Sequence, residues 1–190
     1  VPDKPIRFLI NTHRHHDHIG GLRTYMHVGA TIVTHWKNYE FYTRDVLNYA
    51  PRTLAPDMLA LWPPTELAEG YQYETVRENY WLSGGERSMH VSYVHPLPHV
   101  EGRLVAYLPN EKILIEADLS DSRTLLGHVQ RLGLDVETIV PIHGLPVAWS
   151  DFVEVTVMSS GDMTGGWCVT EPSQSGRVTS SMQTIRFKIP

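Results

Sequence analysis

Five side chains able to bind a metal ion fall within residues 13–18 of this sequence, and four of them make a pattern. The four are His13, His15, Asp17 and His18, in the order His-x-His-x-Asp-His. Packing has no use for so many imidazole and carboxylate groups side by side, whereas neutral imidazole nitrogens and a carboxylate suit Zn²⁺ and other first-row divalent ions. His13 and His15 are two apart, so at the end of a strand they point the same way. Asp17 and His18 follow in the turn, where the chain changes direction, and Gly20-Gly21 gives that turn its backbone freedom. One segment then serves two neighbouring ions. The bland alternative, a solvated loop rich in histidine by chance, weakens if further donors lie at other strand ends.

Three such donors are present. His99 stands just before an apolar run at 104–108, Asp118 just after one at 113–116, and His143 just after one at 138–141. The ends of strands are where sites gather in layered α/β folds. With the first motif these make five histidines and two aspartates, enough for two ions, with Asp118 placed to bridge them.

The elements that must carry these donors are legible from pattern. Residues 6–10 read as a buried strand, 21–27 as a short helix and 30–34 as a β-branched strand. Tyr39, Tyr42, Val46 and Tyr49 recur at helical spacing over 36–48. Pro51, Pro56, Pro63 and Pro64 then interrupt the chain around a short helix near 57–61, an irregular insert placed to act as a surface loop or a lid. Strands are expected at 71–76, 80–82 and 89–94, with a turn at 83–86, and at 104–108 and 113–116. Asp121 or Ser122 caps a helix over 122–132 that Gly133 ends, and a strand follows at 138–141. From residue 151 the composition shifts towards Ser, Thr and Gly, with strands expected at 152–158, 167–170 and 184–189. The division this suggests is a metal-binding core over 1–150 and a β-rich extension over 151–190 packed on the same domain.

Composition narrows the function. The chain has 190 residues, 42% hydrophobic and 19% charged, enough for one domain with a core. A net charge of −5 gives no basic surface for nucleic acid or an anionic membrane. No apolar run reaches the length of a membrane span. The partner expected is a small-molecule substrate. Cys168 is the single cysteine, outside every motif, and reads as a packed thiol. The first residues carry no signal-peptide pattern, and neither cytoplasm nor periplasm is favoured.

The order of these motifs over residues 6–144 resembles the metallo-β-lactamase superfamily of metal-dependent hydrolases. The resemblance implies an α+β fold in four αββα layers with metals at one edge of a β-sandwich. It implies that His13, His15 and His99 hold a first ion, that Asp17, His18 and His143 hold a second, and that Asp118 bridges them. His95 rivals His99, which is preferred because Gly102 follows it at the family's spacing. His16 fills a variable position and should point away. His27, His35, His90 and His128 lack motif support and read as surface or satisfied core histidines.

The resemblance further implies two Zn²⁺ per chain, with Fe or Mn as alternatives, and a metal-bound hydroxide as nucleophile, oriented by Asp17 as the catalytic carboxylate. An aspartate at 118 resembles the family's thioesterases, lactonases and phosphodiesterases more than its β-lactamases. The expected activity is hydrolysis of a small ester, thioester, lactone or amide. β-Lactam hydrolysis is the alternative, and a non-catalytic fragment is the alternative from outside catalysis. The family usually has several strands before its first motif, whereas twelve residues precede His13 here. That predicts an open sheet edge, filled by a second copy of the chain in a homo-oligomer or by strands after residue 151, unless the chain is a fragment.

Overall fold

The computed structural model describes residues 4–48, 50, 57–61, 72–95, 99–118 and 121–159. Two sheets face each other, and helical segments cover both outer sides. The first sheet is parallel, in the order β1 (Phe8–Ile10), β2 (Thr31–His35) and β3 (Tyr73–Val76). The second runs in sequence order: β4 (Asn79–Gly84), β5 (Arg87–Tyr93), β6 (Leu104–Leu108), β7 (Ile113–Glu116), β8 (Thr138–Pro141) and β9 (Val147–Ala148). Within it, β7 and β8 are parallel and the other neighbours antiparallel.

Alternation along the strands divides the core into layers. Met89 and Val91 of β5 turn inward to meet Val33 and Val76 of the first sheet, together with Leu104, Ala106 and Ile115. Ser92 points to the other side, where its hydroxyl meets His128 Nε2 at 2.9 Å. There Val105, Tyr107 and Leu114 pack against Leu125 and Val129 of helix α3 (Ser122–Leu132) and Phe152 of helix α4 (Trp149–Met158). Outside the first sheet, Ile32 packs under Leu22 and Met26 of α2 (Leu22–His27), with Tyr42, Val46 and Leu59. The result is the αββα arrangement.

Helix α3 keeps the limits its caps dictate. Asp121 accepts from the Arg123 and Thr124 amides, and Gly133 closes the helix at φ +62°. The helix expected over 36–48 is present as a continuous helical segment over 36–46, which starts as a 3-10 turn at Trp36–Asn38 and ends as a π-helical turn at Phe41–Val46. The segment near 57–61 is a 3-10 turn at Leu59–Leu61.

The strand expected at 152–158 is instead helix α4. Val153, Val155 and Val157 alternate as in a strand, but the buried positions Phe152 and Thr156 are four apart, and α4 lays them against the core beside α3. The described part of the 151–190 extension is therefore helical rather than β-rich. Most of the proline-rich insert, Tyr49, Cys168 and the strands expected at 167–170 and 184–189 lie outside the described residues.

Candidate metal centre

Each donor segment is fixed by the strand before it. After β1 the chain runs on beside β2, the Asn11 amide bonding the Val33 carbonyl at 2.9 Å, and the Thr12 carbonyl then accepts from the Leu104 amide of β6 at 2.7 Å. This tie spans the two sheets and lays His13 into the interior, 1% exposed. His15 stands at the start of α1 (His16–Ile19), a single turn that carries Asp17 and His18. The Asn11 side chain holds that turn by donating to the His18 carbonyl at 2.8 Å, and the Tyr42 hydroxyl in turn donates to Asn11 Oδ1.

The His99 segment turns at Gly102, where φ is +82°. A side chain there would be strained, and its Cβ would collide with Asn38 Nδ2 and come within 2.9 Å of His35 Nδ1. The glycine lets the 3-10 turn after β2 close on this loop, with Asn38 Nδ2 donating to the Glu101 carbonyl at 3.0 Å. Asp118 and His143 lie beyond the carboxyl ends of neighbouring parallel strands. Glu116 pairs with Pro141, and the Ile142 amide bonds the Glu116 carbonyl at 2.8 Å.

All seven sequence-predicted donors are brought to one edge of the sandwich, in two groups. In the first, one donor atom from each of His13, His15, His99 and Asp118 lies within 4.8 Å of the others, and in the second the same holds for Asp17, His18 and His143. His13 Nε2 is 3.0 Å from His15 Nδ1, which is 3.1 Å from His99 Nε2. Asp118 Oδ2 lies 3.1 Å from His13 Nε2, 3.2 Å from His99 Nε2 and 3.3 Å from His18 Nε2. Its Oδ1 is 3.6 Å from His143 Nε2. Asp17 Oδ2 sits 3.2 Å from His143 Nε2 and 3.4 Å from His18 Nε2. The rival His95 stays apart, stacked on Tyr93 and 3.9 Å from Glu78. The His16 side chain is 99% exposed.

The arrangement fits a metal ion. Donor atoms around a tetrahedral ion with bonds of about 2.1 Å lie roughly 3.4 Å apart, close to the spacings here. Protonation agrees. Burial, helped by His18, drives the His13 pKa down to about 3, and burial also lowers that of His18. Both rings are thus neutral near pH 7, as coordination needs. Burial by itself raises the Asp118 carboxyl, but His18, His13, His143 and His99 together hold it below the ordinary carboxylate range.

Reading the sequence missed several residues that support these donors. Asn11, Tyr42 and Asn38 are among them, and so are Arg103 and Glu116. Arg103 is fully buried, and its guanidinium donates to Glu116 Oε2 at 3.0 Å and to the Asp118 carbonyl at 2.6 Å. Gly102, already noted for its spacing, was the one signal pointing to this region.

Comparison with known proteins agrees with this picture. The chain is 20% identical over 215 residues to the linear primary-alkylsulfatase of Pseudomonas sp. (strain ATCC 19151), an alignment covering 85% of this chain and 38% of that protein. Among solved structures, it is similar to an archaeal metallo-beta-lactamase superfamily protein from Sulfolobus tokodaii (TM-score 0.60, 15% identity, 88% of this chain and 73% of that one). It is also similar to a metallo-beta-lactamase from Pontibacter korlensis (TM-score 0.57, 19% identity, 84% and 71%). A third likeness is to the rubredoxin oxygen:oxidoreductase of Desulfovibrio gigas (TM-score 0.54, 18% identity, 80% and 42%). These likenesses speak for the fold. The sequence profile of the metallo-beta-lactamase superfamily itself runs across residues 1–165, through every donor described above, and the chain belongs to that superfamily.

Proposed function

We propose that this chain is a metal-dependent hydrolase with a dinuclear centre, most simply of zinc, acting on a small ester, thioester, lactone or amide. The observation that carries the reading is the pair of donor groups sharing the Asp118 carboxylate. His13, His15 and His99 would hold one ion, Asp17, His18 and His143 the other, and Asp118 both. A bound divalent ion supplies a water acidified to a pKa of roughly 7 and polarises the scissile oxygen.

The chain's own residues do the rest. Neutral His13 and His18 keep their lone pairs for coordination. Asp17 is held ionised against the effect of its own burial by a backbone hydrogen bond and by His18, His16 and His143. Its Oδ2 faces His18 and His143, which leaves Oδ1 to orient the attacking water and to pass a proton to the leaving group. His143 stands half exposed at the rim, on the side from which a substrate reaches the cluster.

The alkylsulfatase likeness supports including sulfate esters in the substrate class. The test is a substrate panel offered to the zinc-loaded chain: an activated carboxylic ester, a thioester, a lactone, an alkyl sulfate and the β-lactam nitrocefin. The reading expects turnover of at least one non-β-lactam substrate, abolished by a chelator. Preference for nitrocefin would shift the assignment to β-lactam hydrolysis. Absence of any turnover by loaded protein would remove the hydrolase reading.

A further inference from the structure

Arg103 and Glu116 form a buried ion pair directly behind the metal centre, and neither belongs to the donor set. Arg103 is 0% exposed and Glu116 2%. Stability is a poor reason for such a pair, because apolar side chains of similar volume serve a core as well or better. The guanidinium does a second thing that an apolar side chain cannot. While one nitrogen engages Glu116 Oε2, another donates to the backbone carbonyl of Asp118, and Nε has no partner among the described residues.

Asp118 is the residue for which that backbone bond matters most. Its φ is +52°, a left-handed conformation uncommon for a residue with a side chain, although aspartate adopts it more readily than most. Its carboxylate also has to face His13, His99, His18 and His143 together. Loss of the Arg103 bond would remove a restraint on this backbone conformation, and with it on the direction of the carboxylate. Arg103 is itself well anchored. It follows Gly102 in the His99 loop, and the next residue, Leu104, bonds the Thr12 carbonyl beside His13. Glu116 lies two residues before Asp118 and bonds the segment leading to His143 through Ile142.

We infer that Arg103 is a positioning residue for the metal centre. Clamped by Glu116, it holds the Asp118 main chain in the left-handed conformation that lets one carboxylate serve both donor groups. The inference rests on the metal-binding reading proposed above. It requires arginine in particular, since the planar fork reaches Glu116 and the Asp118 carbonyl at once and the single ammonium of lysine does not.

The test is titration of the metal-free full chain with Zn²⁺ against a competing chelator, and with Co²⁺ followed by its visible absorption. Two variants are compared with wild type, Arg103→Lys and the double variant Arg103→Met/Glu116→Met, which removes both buried charges together. In both, the thermal midpoint of the metal-free protein should stay within a few degrees of wild type. Metal affinity should fall by about 10- to 100-fold, the usual effect of losing an outer partner of a ligand, and the Co²⁺ spectrum should change. Folded variants that bind both metals as wild type does overturn the inference and leave the metal centre standing. Failure of both variants to fold overturns it too, because the pair would then serve the scaffold. A wild-type chain that takes up neither metal overturns the inference along with the metal reading.

Discussion

Asp118 Oδ2 stands 3.3 Å from His18 Nε2, and through that contact one carboxylate joins two groups of donors. The same oxygen reaches His13 and His99, while Oδ1 faces His143. Both groups draw on the first motif after β1, and the second is completed by His143 after β8, 125 residues from His18. A centre assembled in this way depends on every strand end holding its place.

The first prediction separates neighbours in the motif. His15→Ala should strip metal from the centre and abolish turnover, because His15 Nδ1 is within 3.1 Å of both His13 and His99 donor atoms. His16→Ala should leave both unchanged, its side chain lying in solvent. Metal content by elemental analysis and initial rates on the same samples decide it, and equal losses from the two variants would mean the motif register is wrong.

Gly102→Ala should damage fold and site together. The added methyl meets Asn38 and His35, at a φ that side chains avoid. A loss of about 1–3 kcal/mol in urea unfolding is expected, with weaker metal binding because the His99 loop can no longer close on the 3-10 turn. Unaltered stability would show that the turn yields without cost.

Stability should fall as pH drops from about 6.5 to 4, partly through His128. Burial, reinforced by Arg131, pushes its pKa down to about 4, while unfolding restores the ordinary histidine value of 6.5. The folded state keeps this ring neutral, so its contribution is intact above pH 6.5 and is lost on acidification through that window. The loss from this one group is on the order of 3 kcal/mol by pH 4. His128→Gln keeps a partner for Ser92 and removes the titration, so its stability should fall less steeply over the same range. Parallel curves for the two proteins would contradict this account of His128.

How much of this was legible beforehand depended on the kind of signal each residue sends. Helix α3 was read to its true limits because Asp121 and Gly133 act locally, each closing its own end of the helix. The strands 104–108, 113–116 and 138–141 stood out as short apolar runs, the first two joined by a turn and the last following α3. The seven clustered side chains stood out because their chemistry is rare in such concentration.

What escaped notice depends on tertiary contact. Arg103 reads in sequence as an ordinary charge at a strand start, and only its burial against Glu116 and the Asp118 carbonyl gives it meaning. Helix α4 was misread because its alternating valines mimic a strand, while the packing of Phe152 and Thr156 on the core settles the helix. The 3-10 start of the helical segment at Trp36–Asn38 carries Asn38, whose side chain holds the His99 loop through the Glu101 carbonyl, a contact invisible in the local pattern.

The most direct test of the two-ion centre is the metal content of the full chain, purified without chelator and measured by elemental analysis against protein concentration. The account predicts close to two equivalents of divalent metal per chain, one for each donor group, falling sharply in Asp118→Ala. A content near zero after reconstitution with excess Zn²⁺ would contradict it.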